Sequence, residues 1–263
     1  MAREHFGTNT RHLRTKLFKT AIGRLSCGDD QVINPDEAKT YNQFRLPDSA
    51  FHKRKYDLVM KKVLKGGFQK VLEIGAGTGV YTKFLLQDFG CVVATDKDAE
   101  MCKKMVNIFS GIKPLHMPSI GVEDACNLSF QADEFDGIFG VSILHHIPEC
   151  DMANGDKEPN DRKKVWQEIA RVLKPNGWFA FCEPNANNIF TRFVHWYYKE
   201  DAMSCSEMMR DAEQVGLKII DYGTLQFCSP RTMWVTKIPL WNAFERLVER
   251  FGLGVSAYVV GTK

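Results

Sequence analysis

The residues most able to do chemistry lie in and around a glycine-rich segment. Gly75, Gly77 and Gly79 follow the apolar run Val71–Ile74 and lead into a segment with a helical pattern. Glycine lets the backbone approach a ligand closely, and the N–H groups at the start of a helix bind polar ligand groups. The pattern predicts a nucleotide-type cofactor at a strand–loop–helix junction.

The glycine spacing separates two classes of cofactor. Dinucleotide-binding proteins carry G-x-G-x-x-G, whereas here the third glycine comes one position early and Val80 stands where it would be. Glu73 lies just before the loop, where a carboxylate would repel a pyrophosphate and attract a cationic amino group. Both features favour an aminoacyl nucleoside over NAD.

Two acidic segments can complete such a cofactor site. Asp96 ends the second apolar run, 17 residues beyond Gly79, and an acid at about this distance accepts hydrogen bonds from ribose hydroxyls. Glu123-Asp124-Ala125 follows the third predicted strand, where a carboxylate can receive an adenine amino group. An ordinary turn is the alternative interpretation of each segment.

Apolar runs alternate with helix signals through the middle of the chain. Strands are predicted at 68–74, 91–95, 135–141 and 178–182, with a weaker one near 112–117. Helices are predicted at 78–89 and 98–109 and from Asp161, a good N-cap, to Leu173. Strands and helices that alternate at this spacing are typical of βαβ units and a largely parallel sheet.

The beginning of the chain is basic. Residues 1–65 hold 14 Lys/Arg against 7 Asp/Glu, although the formal net charge of the whole chain is only +3. Residues 1–64 are predicted to form an N-terminal extension ending in a cap helix that starts at Ser49. The extension is interpreted as a solvated segment, with a binding arm or a targeting segment as alternatives.

Residues 65–263 are predicted to form the main domain. Apolar, aromatic insertions at 186–205 and 224–252 would cap it. A helix at 204–215 and strands at 217–222 and 254–261 complete the pattern, with the last strand beside its neighbour.

Five segments carry a resemblance to a known family. In order and spacing, VLEIGAGTG, ATDKD, VEDACNLSF, FDGIFGVSILHHIPE and RVLKPNGWFAFCEPN resemble the class I S-adenosylmethionine-dependent methyltransferase superfamily. They are most similar to its small-molecule branch, which includes ubiquinone and menaquinone biosynthesis methyltransferases. The resemblance implies S-adenosylmethionine as cofactor. It also implies a doubly wound, Rossmann-like α/β fold with a mostly parallel seven-stranded sheet, an antiparallel last strand and a helical cap.

The resemblance also implies which residues bind the cofactor. These are Glu73, Gly75, Ala76 and Gly77 at its methionine part, Asp96 at the ribose, Lys97, Asp124 and Ala125 at the adenine, and Val141 under the sulfonium.

His145, His146 and Glu183 are the candidate catalytic residues. They follow the fourth and fifth predicted strands, at the carboxyl edge where such sheets bind substrates. A hydroxyl acceptor gains from a general base, and histidine suits that role near neutral pH. The alternative is that these side chains pack or cap a loop.

Two kinds of chemistry are not expected. The end of the fourth strand lacks the Asp/Asn-Pro-Pro-aromatic motif of enzymes that methylate flipped DNA bases, so no DNA partner is predicted. Gly140-Val141 stands where metal-dependent relatives carry an acid, and His145, His146 and Cys150 on one loop make a poor tetrahedral site. No metal is therefore predicted.

The acceptor is predicted to be a small molecule with aromatic, apolar or lipid-like character, methylated at oxygen or carbon. This prediction rests on aromatics in the two insertions, which can equally serve to bury the cap: Phe190, Phe193, Trp196, Tyr197, Tyr198, Phe227, Trp234, Trp241 and Phe244. Residues 233–251, with Arg246 and Arg250, are a candidate for peripheral membrane contact.

Composition sets the remaining expectations. The eight cysteines include no C-x-x-C pair, which favours a reducing compartment and a cytoplasmic location. No run of about eighteen apolar residues is present, so no transmembrane segment is predicted. Oligomeric state is left open. The alternative functions are a catalytically silent S-adenosylmethionine-binding scaffold or regulator, aminopropyl transfer and an NAD-linked oxidoreductase.

Overall fold

In the part of the chain that the structure describes, seven strands form one sheet with helices on both faces. The protein is described by a computed structural model, which covers residues 49–63, 69–110, 117–147, 161–189, 191–192, 202–226 and 240–263. The strands are β1 (Lys70–Ile74), β2 (Cys91–Asp96), β3 (Ser119–Val122), β4 (Phe135–Val141), β5 (Leu173–Pro184), β6 (Lys218–Leu225) and β7 (Ser256–Thr262). The helices are α1 (Ser49–Met60), α2 (Thr82–Asp88), α3 (Ala99–Phe109), α4 (Asp161–Val172), α5 (Cys205–Glu213) and α6 (Trp241–Arg250), and a 3-10 turn spans Leu144–His146.

The sheet has the order β3-β2-β1-β4-β5-β7-β6. Strands β1 to β5 pair in parallel, and β7 is antiparallel to both β5 and β6. This confirms the predicted doubly wound, mostly parallel sheet with an antiparallel last strand. The chain turns from one half of the sheet to the other between β1 and β4, and such switch points bind ligands at the carboxyl ends of the strands.

Alternate residues of each strand face opposite layers of helices. Leu72, Ile138 and Phe179 pack in one buried cluster with side chains of α4 and α5. Their neighbours Val71 and Phe139 pack in a second cluster with α1 and α2. Because both faces of the sheet are covered, its central strands are continuous apolar runs without alternation.

The third strand lies elsewhere than predicted. A strand was expected near 112–117, but β3 is Ser119–Val122, and residues 111–116 lie outside the described part of the chain. Only Ile120 of this strand is buried, against the cluster around α3. An edge strand that is this short and half-exposed has too few apolar residues to be recognised from the sequence. Its position follows from pairing, since Val93–Asp96 lies beside Ser119–Val122.

The strand predicted at 178–182 is longer than expected. β5 begins at Leu173, and the predicted turn residues 174–177 form an irregularity where the register against β4 shifts between Phe135 and Gly137. Asn176 adopts a positive φ of 63° there, which suits asparagine in a turn.

The remaining boundaries fall within a few residues of the predictions. In the described part of the chain, no helix is long and apolar enough to cross a membrane. Residues 1–48 lie outside the described residues, and the division at residue 64 stays a prediction. Helix α1 packs Tyr56, Val59 and Met60 into the same cluster as α2.

Candidate functional site

The glycine segment connects β1 to α2 through left-handed backbone. Gly75, Gly77 and Gly79 have φ values of 68°, 56° and 83°, a region that residues with a Cβ seldom adopt. A Cβ at Gly75 would lie 2.5 Å from Ile143 and one at Gly79 2.5 Å from Phe109, whereas one at Gly77 would meet no atom within 4 Å. The loop is thus packed at both ends and open at its centre.

Asp96 fastens this loop to the end of β2. Its Oδ2 accepts a hydrogen bond of 2.8 Å from the N–H of Gly77, and its Oδ1 accepts one of 2.9 Å from the N–H of Asp98. The N–H of Ala76 donates to the carbonyl of Thr95 at 2.8 Å. Each carboxylate oxygen has two acceptor sites, so Asp96 retains capacity for ligand hydroxyls.

Glu73 lies beneath the loop and is almost completely buried. Its carboxyl accepts a hydrogen bond from the Thr82 hydroxyl in the first turn of α2. Burial raises the pKa of Glu73 to about 8, with the nearby Asp96 charge adding to the rise and the Thr82 bond opposing it. A cationic group bound near the loop would favour the ionised form.

Lys97 and Asp124 form an ion pair of 2.8 Å beside the loop. The hydrogen bond that Lys97 donates to Asp124 is the main cause of the raised pKa of the Lys97 ammonium group. Partial burial opposes ionisation of Asp124, but Lys97 and the N–H of Cys126 outweigh it and lower the pKa of Asp124. Ala125 lies in the turn between Asp124 and Asn127, which form an isolated antiparallel bridge.

Glu183 organises the turn that follows β4. One of its oxygens accepts 3.0 Å hydrogen bonds from the N–H groups of Ile143 and Leu144. The other lies 2.6 Å from Nδ1 of His145. Glu183 is fully buried, and these three contacts use its carboxyl to hold the turn. The turn places Ile143 against Gly75.

The two histidines have different surroundings. His145 is buried on Glu183, whereas His146 is exposed. Their rings lie 3.9 Å apart between centroids at an interplanar angle of 40°. The structure therefore gathers the three candidate catalytic residues at one place, but leaves only His146 facing outward there.

Val141 ends β4 and lies opposite Cys182 of β5. Its half-buried side chain packs against the cluster that contains Phe139 and Tyr81. The position at the carboxyl end of β4, two residues before Ile143, is consistent with a place near the ligand, although its contact with a cofactor stays a prediction.

Three residues of the site had no prediction from the sequence. Thr82 supports Glu73, and its only signal was a threonine in the first turn of a helix after the loop. Ile143 packs against Gly75, and an isoleucine at this position gives no indication in the sequence of that contact. Ser142 has a positive φ of 55° and donates its N–H to the carbonyl of Cys182 at 2.9 Å, which sets the direction of the turn.

The arrangement fits S-adenosylmethionine in its donor and acceptor chemistry. The open side of Gly77 leaves room for a ligand against the backbone. Three acidic residues belong to this region: Asp96 binds the N–H of Gly77, Glu73 lies in the strand that leads into the loop, and Asp124 pairs with Lys97, the neighbour of Asp96. Carboxylates suit an amino group, ribose hydroxyls and an adenine amino group, and would oppose a pyrophosphate.

A cavity of about 310 Å³ lies away from this site. It is lined by residues at the amino ends of the strands, among them Gln69, Asp136 and Trp178. Two pairs of its polar groups contact each other, since Lys174 lies 2.7 Å from Asp136 and Trp178 Nε1 donates to Gln69 Oε1 at 3.1 Å. It belongs to the opposite edge of the sheet from Asp96 and Glu183.

The described residues contain no cluster of side chains that could bind a metal ion. No group of three or more His, Cys, Asp or Glu side chains is placed there to hold an ion. Cys150, considered with His145 and His146 from the sequence, lies outside the described residues.

Comparison with known proteins identifies the segment that contains the site. Residues 72–181 match the family described as "Methyltransferase domain". The match covers the glycine loop, Asp96, Asp124 and the turn after β4.

Curated relatives are similar over the same segment. The glycine/sarcosine/dimethylglycine N-methyltransferase of Actinopolyspora halophila is 25% identical over 45% of this chain and 19% of its own length. Squalene methyltransferase 2 of Botryococcus braunii is 28% identical over 43% of this chain and 27% of its own length. The chain spans between 19% and 53% of the length of the curated relatives it matches.

A solved structure is similar over most of the chain. It is the methyltransferase from the complex with the Trm112 methyltransferase activator of Haloferax volcanii, with a TM-score of 0.62 and 18% identity over 88% of this chain and 99% of that one. At this identity the similarity shows the fold, which is the Rossmann-like fold expected.

Asp96→Asn tests the tie between β2 and the loop. The asparagine side chain keeps only one acceptor oxygen, so its NH2 group must face one of the two backbone N–H groups, of Gly77 or Asp98, that Asp96 binds. We therefore expect the Kd for S-adenosylmethionine to rise at least about tenfold, the effect of losing roughly one charge-assisted hydrogen bond. Isothermal titration calorimetry measures it. Asp98→Asn is the matched control, since asparagine caps α3 as well as aspartate does; equal affinity in both variants would contradict the assignment.

Glu73→Gln tests the buried carboxyl through the pH dependence of stability. Between about pH 4.5 and 8 the unfolded chain has lost a proton that folded Glu73 retains, so the free energy of unfolding falls as pH rises through this window. We expect the variant to escape this loss and to gain stability over wild type, on the order of 1–3 kcal/mol by pH 8.

Denaturant unfolding of the ligand-free protein at pH 5 and pH 8 measures the gain. Glu100→Gln, the same change on the exposed side of α3, is the control. A difference between wild type and Glu73→Gln that does not change with pH would show that Glu73 is ionised in the folded protein.

Proposed function

We propose that this chain, whose residues 72–181 match the family described as "Methyltransferase domain", is a class I S-adenosylmethionine-dependent enzyme that methylates a small apolar or aromatic acceptor at oxygen or carbon. The single observation that carries the proposal is the open backbone at Gly77, fastened by Asp96 and bordered by acidic side chains.

The chain's own residues would bind and orient the cofactor. When bound, S-adenosylmethionine supplies an electrophilic methyl group on a sulfonium sulfur. Gly75, Ala76 and Gly77 would lie along its methionine part above Glu73, and Asp96 would accept from its ribose hydroxyls. Because an in-line displacement depends mainly on alignment, holding both reactants at the carboxyl edge supplies much of the rate.

Lys97, Asp124, Ala125 and Val141 would complete the cofactor site. The turn around Ala125 can lie against the adenine while Asp124, whose pKa is lowered, stays ionised to accept from its amino group. Lys97 would hold that carboxylate in place through the 2.8 Å ion pair.

The proposal of an apolar acceptor is supported by hydrophobic side chains beside the turn after β4. Ile143 and Ile147 flank the 3-10 turn as partly buried hydrophobic residues. The aromatics of α6, Trp241 and Phe244, contact each other at 5.3 Å, and the other aromatics named from the sequence lie outside the described residues. One relative is named for squalene, an apolar acceptor, and another for glycine and its methylated forms, so the acceptor proposal rests on these side chains.

His146 is the proposed general base for a hydroxyl acceptor. It is exposed at the carboxyl edge, whereas His145 and Glu183 are occupied in fixing the turn that carries it. His145 and Glu183 are therefore positioning residues in this proposal. Their buried pair would keep His146 at one place relative to the loop around Gly75.

A second candidate function is a scaffold that binds S-adenosylmethionine without transferring its methyl group. The pairing of Glu183 with His145 favours it, because two of three candidate catalytic groups are then buried. A fold alone does not decide between the two.

Transfer of radiolabelled methyl groups separates these functions. The purified chain is incubated with labelled S-adenosylmethionine and a panel of phenols, quinols and prenylated aromatics, with polar amines as the contrasting set. We expect label in an apolar acceptor, and less of it in the Asp96→Asn variant when the cofactor concentration is below the Kd of that variant. Binding of the cofactor without transfer to any acceptor would favour the scaffold, and transfer to amines alone would overturn the acceptor class.

His146→Gln tests the base on a phenolic acceptor. We expect kcat to fall roughly a hundredfold near pH 7, the lower range for loss of a general base, with unchanged Kd for the cofactor. The deficit should shrink above about pH 9, where the phenol ionises without help. A loss of equal size at all pH values would instead indicate that His146 positions the acceptor.

A further inference from the structure

Helix α1 carries a lysine on the face that it turns toward the sheet. Phe51, Tyr56, Val59 and Met60 are the buried apolar residues of this helix. Lys55 follows Phe51 by one helical turn, and only 8% of it is exposed. Lysine is almost never buried to this extent unless its charge is paired. The position of Lys55 is therefore costly for the folded chain on its own.

The Lys55 ammonium group has no hydrogen bond and no ion pair within the described residues. Its Nζ lies 5.2 Å from the centroid of the Phe51 ring, which is a cation–π contact and leaves its three N–H donors unused. Arg54, the residue before it, instead pairs with Glu245 of α6. Lys55 can therefore bind an anionic group that comes from outside the chain.

A second polar group without a partner borders the same phenylalanine. Gln226 directly follows β6 and is completely buried, and its Nε2 donates to the carbonyl of Phe51 at 3.3 Å. Its Oε1 accepts no hydrogen bond in the part of the chain that the structure describes. The backbone of Gln226 is fixed at both polar groups, since its N–H donates to Glu249 at 2.8 Å and its carbonyl accepts from the N–H of Val255 at 2.7 Å. A buried amide oxygen held in this way needs a hydrogen-bond donor.

Helix α1 runs opposite to the parallel strands, with its first turn at the carboxyl edge of the sheet. Nδ1 of His52 lies 2.9 Å from the hydroxyl of Tyr81, which follows the glycine loop, whereas Lys62, just beyond the helix, lines the cavity at the amino ends of the strands. Side chains of a helix tilt toward its N-terminus, as Lys55 does where it lies over Phe51. The Lys55 ammonium is therefore directed toward the carboxyl edge.

The charge of Lys55 acts on the carboxyl end of β5. Burial raises the pKa of the Cys182 thiol to about 11, and the largest effect that opposes this rise is the positive charge of Lys55. Cys182 directly precedes Glu183 and lies opposite Val141 in the sheet, at the place proposed for the sulfonium. Lys55 and the proposed site of methyl transfer are therefore neighbours.

The acidic side chains that approach this region have partners of their own. Glu183 binds His145 and the turn after β4. Glu245 pairs with Arg54, and Glu249 accepts from the N–H of Gln226. A carboxylate that neutralises Lys55 would thus be supplied by a ligand.

We propose that Lys55 and Gln226 form the subsite that recognises the acceptor, and that this acceptor is an aromatic acid with a hydroxyl group. Lys55 would bind its carboxylate, since an ion pair is stronger where water is excluded. Gln226 Oε1 would accept a hydrogen bond from the hydroxyl. This substrate class rests on the proposed function, which places the transferred methyl group beside Val141 and Cys182.

Calorimetric titration of the full chain, with S-adenosylhomocysteine present, tests the recognition without methyl transfer. The probes are 3-hydroxybenzoate and 3-hydroxy-2-naphthoate, each compared with its amide, which keeps the shape and lacks the charge. We expect each acid to bind at least about tenfold more tightly than its amide, as a hydrogen bond to a charged group predicts.

Lys55→Met should remove the preference for the acid. The Kd of the acids is expected to rise roughly tenfold to a hundredfold, with little change for the amides. Lys61→Met is the matched control, since Lys61 is exposed and lies just after α1, and it should keep the preference. Gln226→Met should weaken 3-hydroxybenzoate about twofold to tenfold and leave the affinity for benzoate, which has no hydroxyl, unchanged.

Thermal unfolding of the ligand-free chain is a second measurement. A buried charge without a partner destabilises the folded state, and methionine fills nearly the same volume as lysine. Lys55→Met should therefore raise the unfolding temperature by about 2–4 °C, and Lys61→Met should not change it. A lysine with a structural role would show the opposite, because its removal would lower the unfolding temperature.

Three results would overturn the subsite: no binding of either acid, equal binding of acids and amides, or a fall in the unfolding temperature of Lys55→Met. Methyl transfer to neutral phenols together with any of these would retain the proposed function and contradict only the subsite. Acid binding that depends on Lys55, without transfer to any acceptor, would retain the subsite as a ligand site and contradict the proposed function.

Discussion

The hydrogen bonds of Asp96 are the constraint on which the site depends. The carboxylate ends β2 and accepts from the N–H groups of Gly77 and Asp98, so it joins the glycine loop of one strand to the start of the helix after the next. A carboxylate binds backbone N–H groups more strongly than a neutral acceptor does. The loop after β1 and the start of α3 therefore share one anchor at the carboxyl edge of the sheet.

Glu183 has the corresponding role on the other half of the sheet. Its fully buried carboxyl is compensated by two N–H groups and His145, as a buried polar group requires. The turn that it holds presses Ile143 against Gly75. Strands β1, β2, β4 and β5 thus meet at one edge through two carboxyl groups, and rigid strands rather than loops define the position of the site.

Helix α6, at the periphery of the protein, buries different kinds of side chain from the central strands. The two faces of the central strands are buried against helices, which leaves little room for a ligand within the sheet itself. Helix α6 instead buries Glu245, which pairs with Arg54 of α1, and leaves the side chains of Leu247 and Phe251 exposed.

The features that depend on residues close together in the sequence could be predicted from the sequence. The run Val71–Ile74, the glycine spacing and Asp96 predicted the cofactor class, and the alternating segments predicted the sheet and its last strand, because apolar period and turn chemistry are local properties. Tertiary structure decided the rest. Pairing with β2, and not composition, placed β3 at Ser119–Val122. Packing buried His145 on Glu183 and left His146 outside, although the two histidines are neighbours of the same type. The direction of a side chain depends on which residues distant in sequence approach it, and that is settled only when the chain has folded.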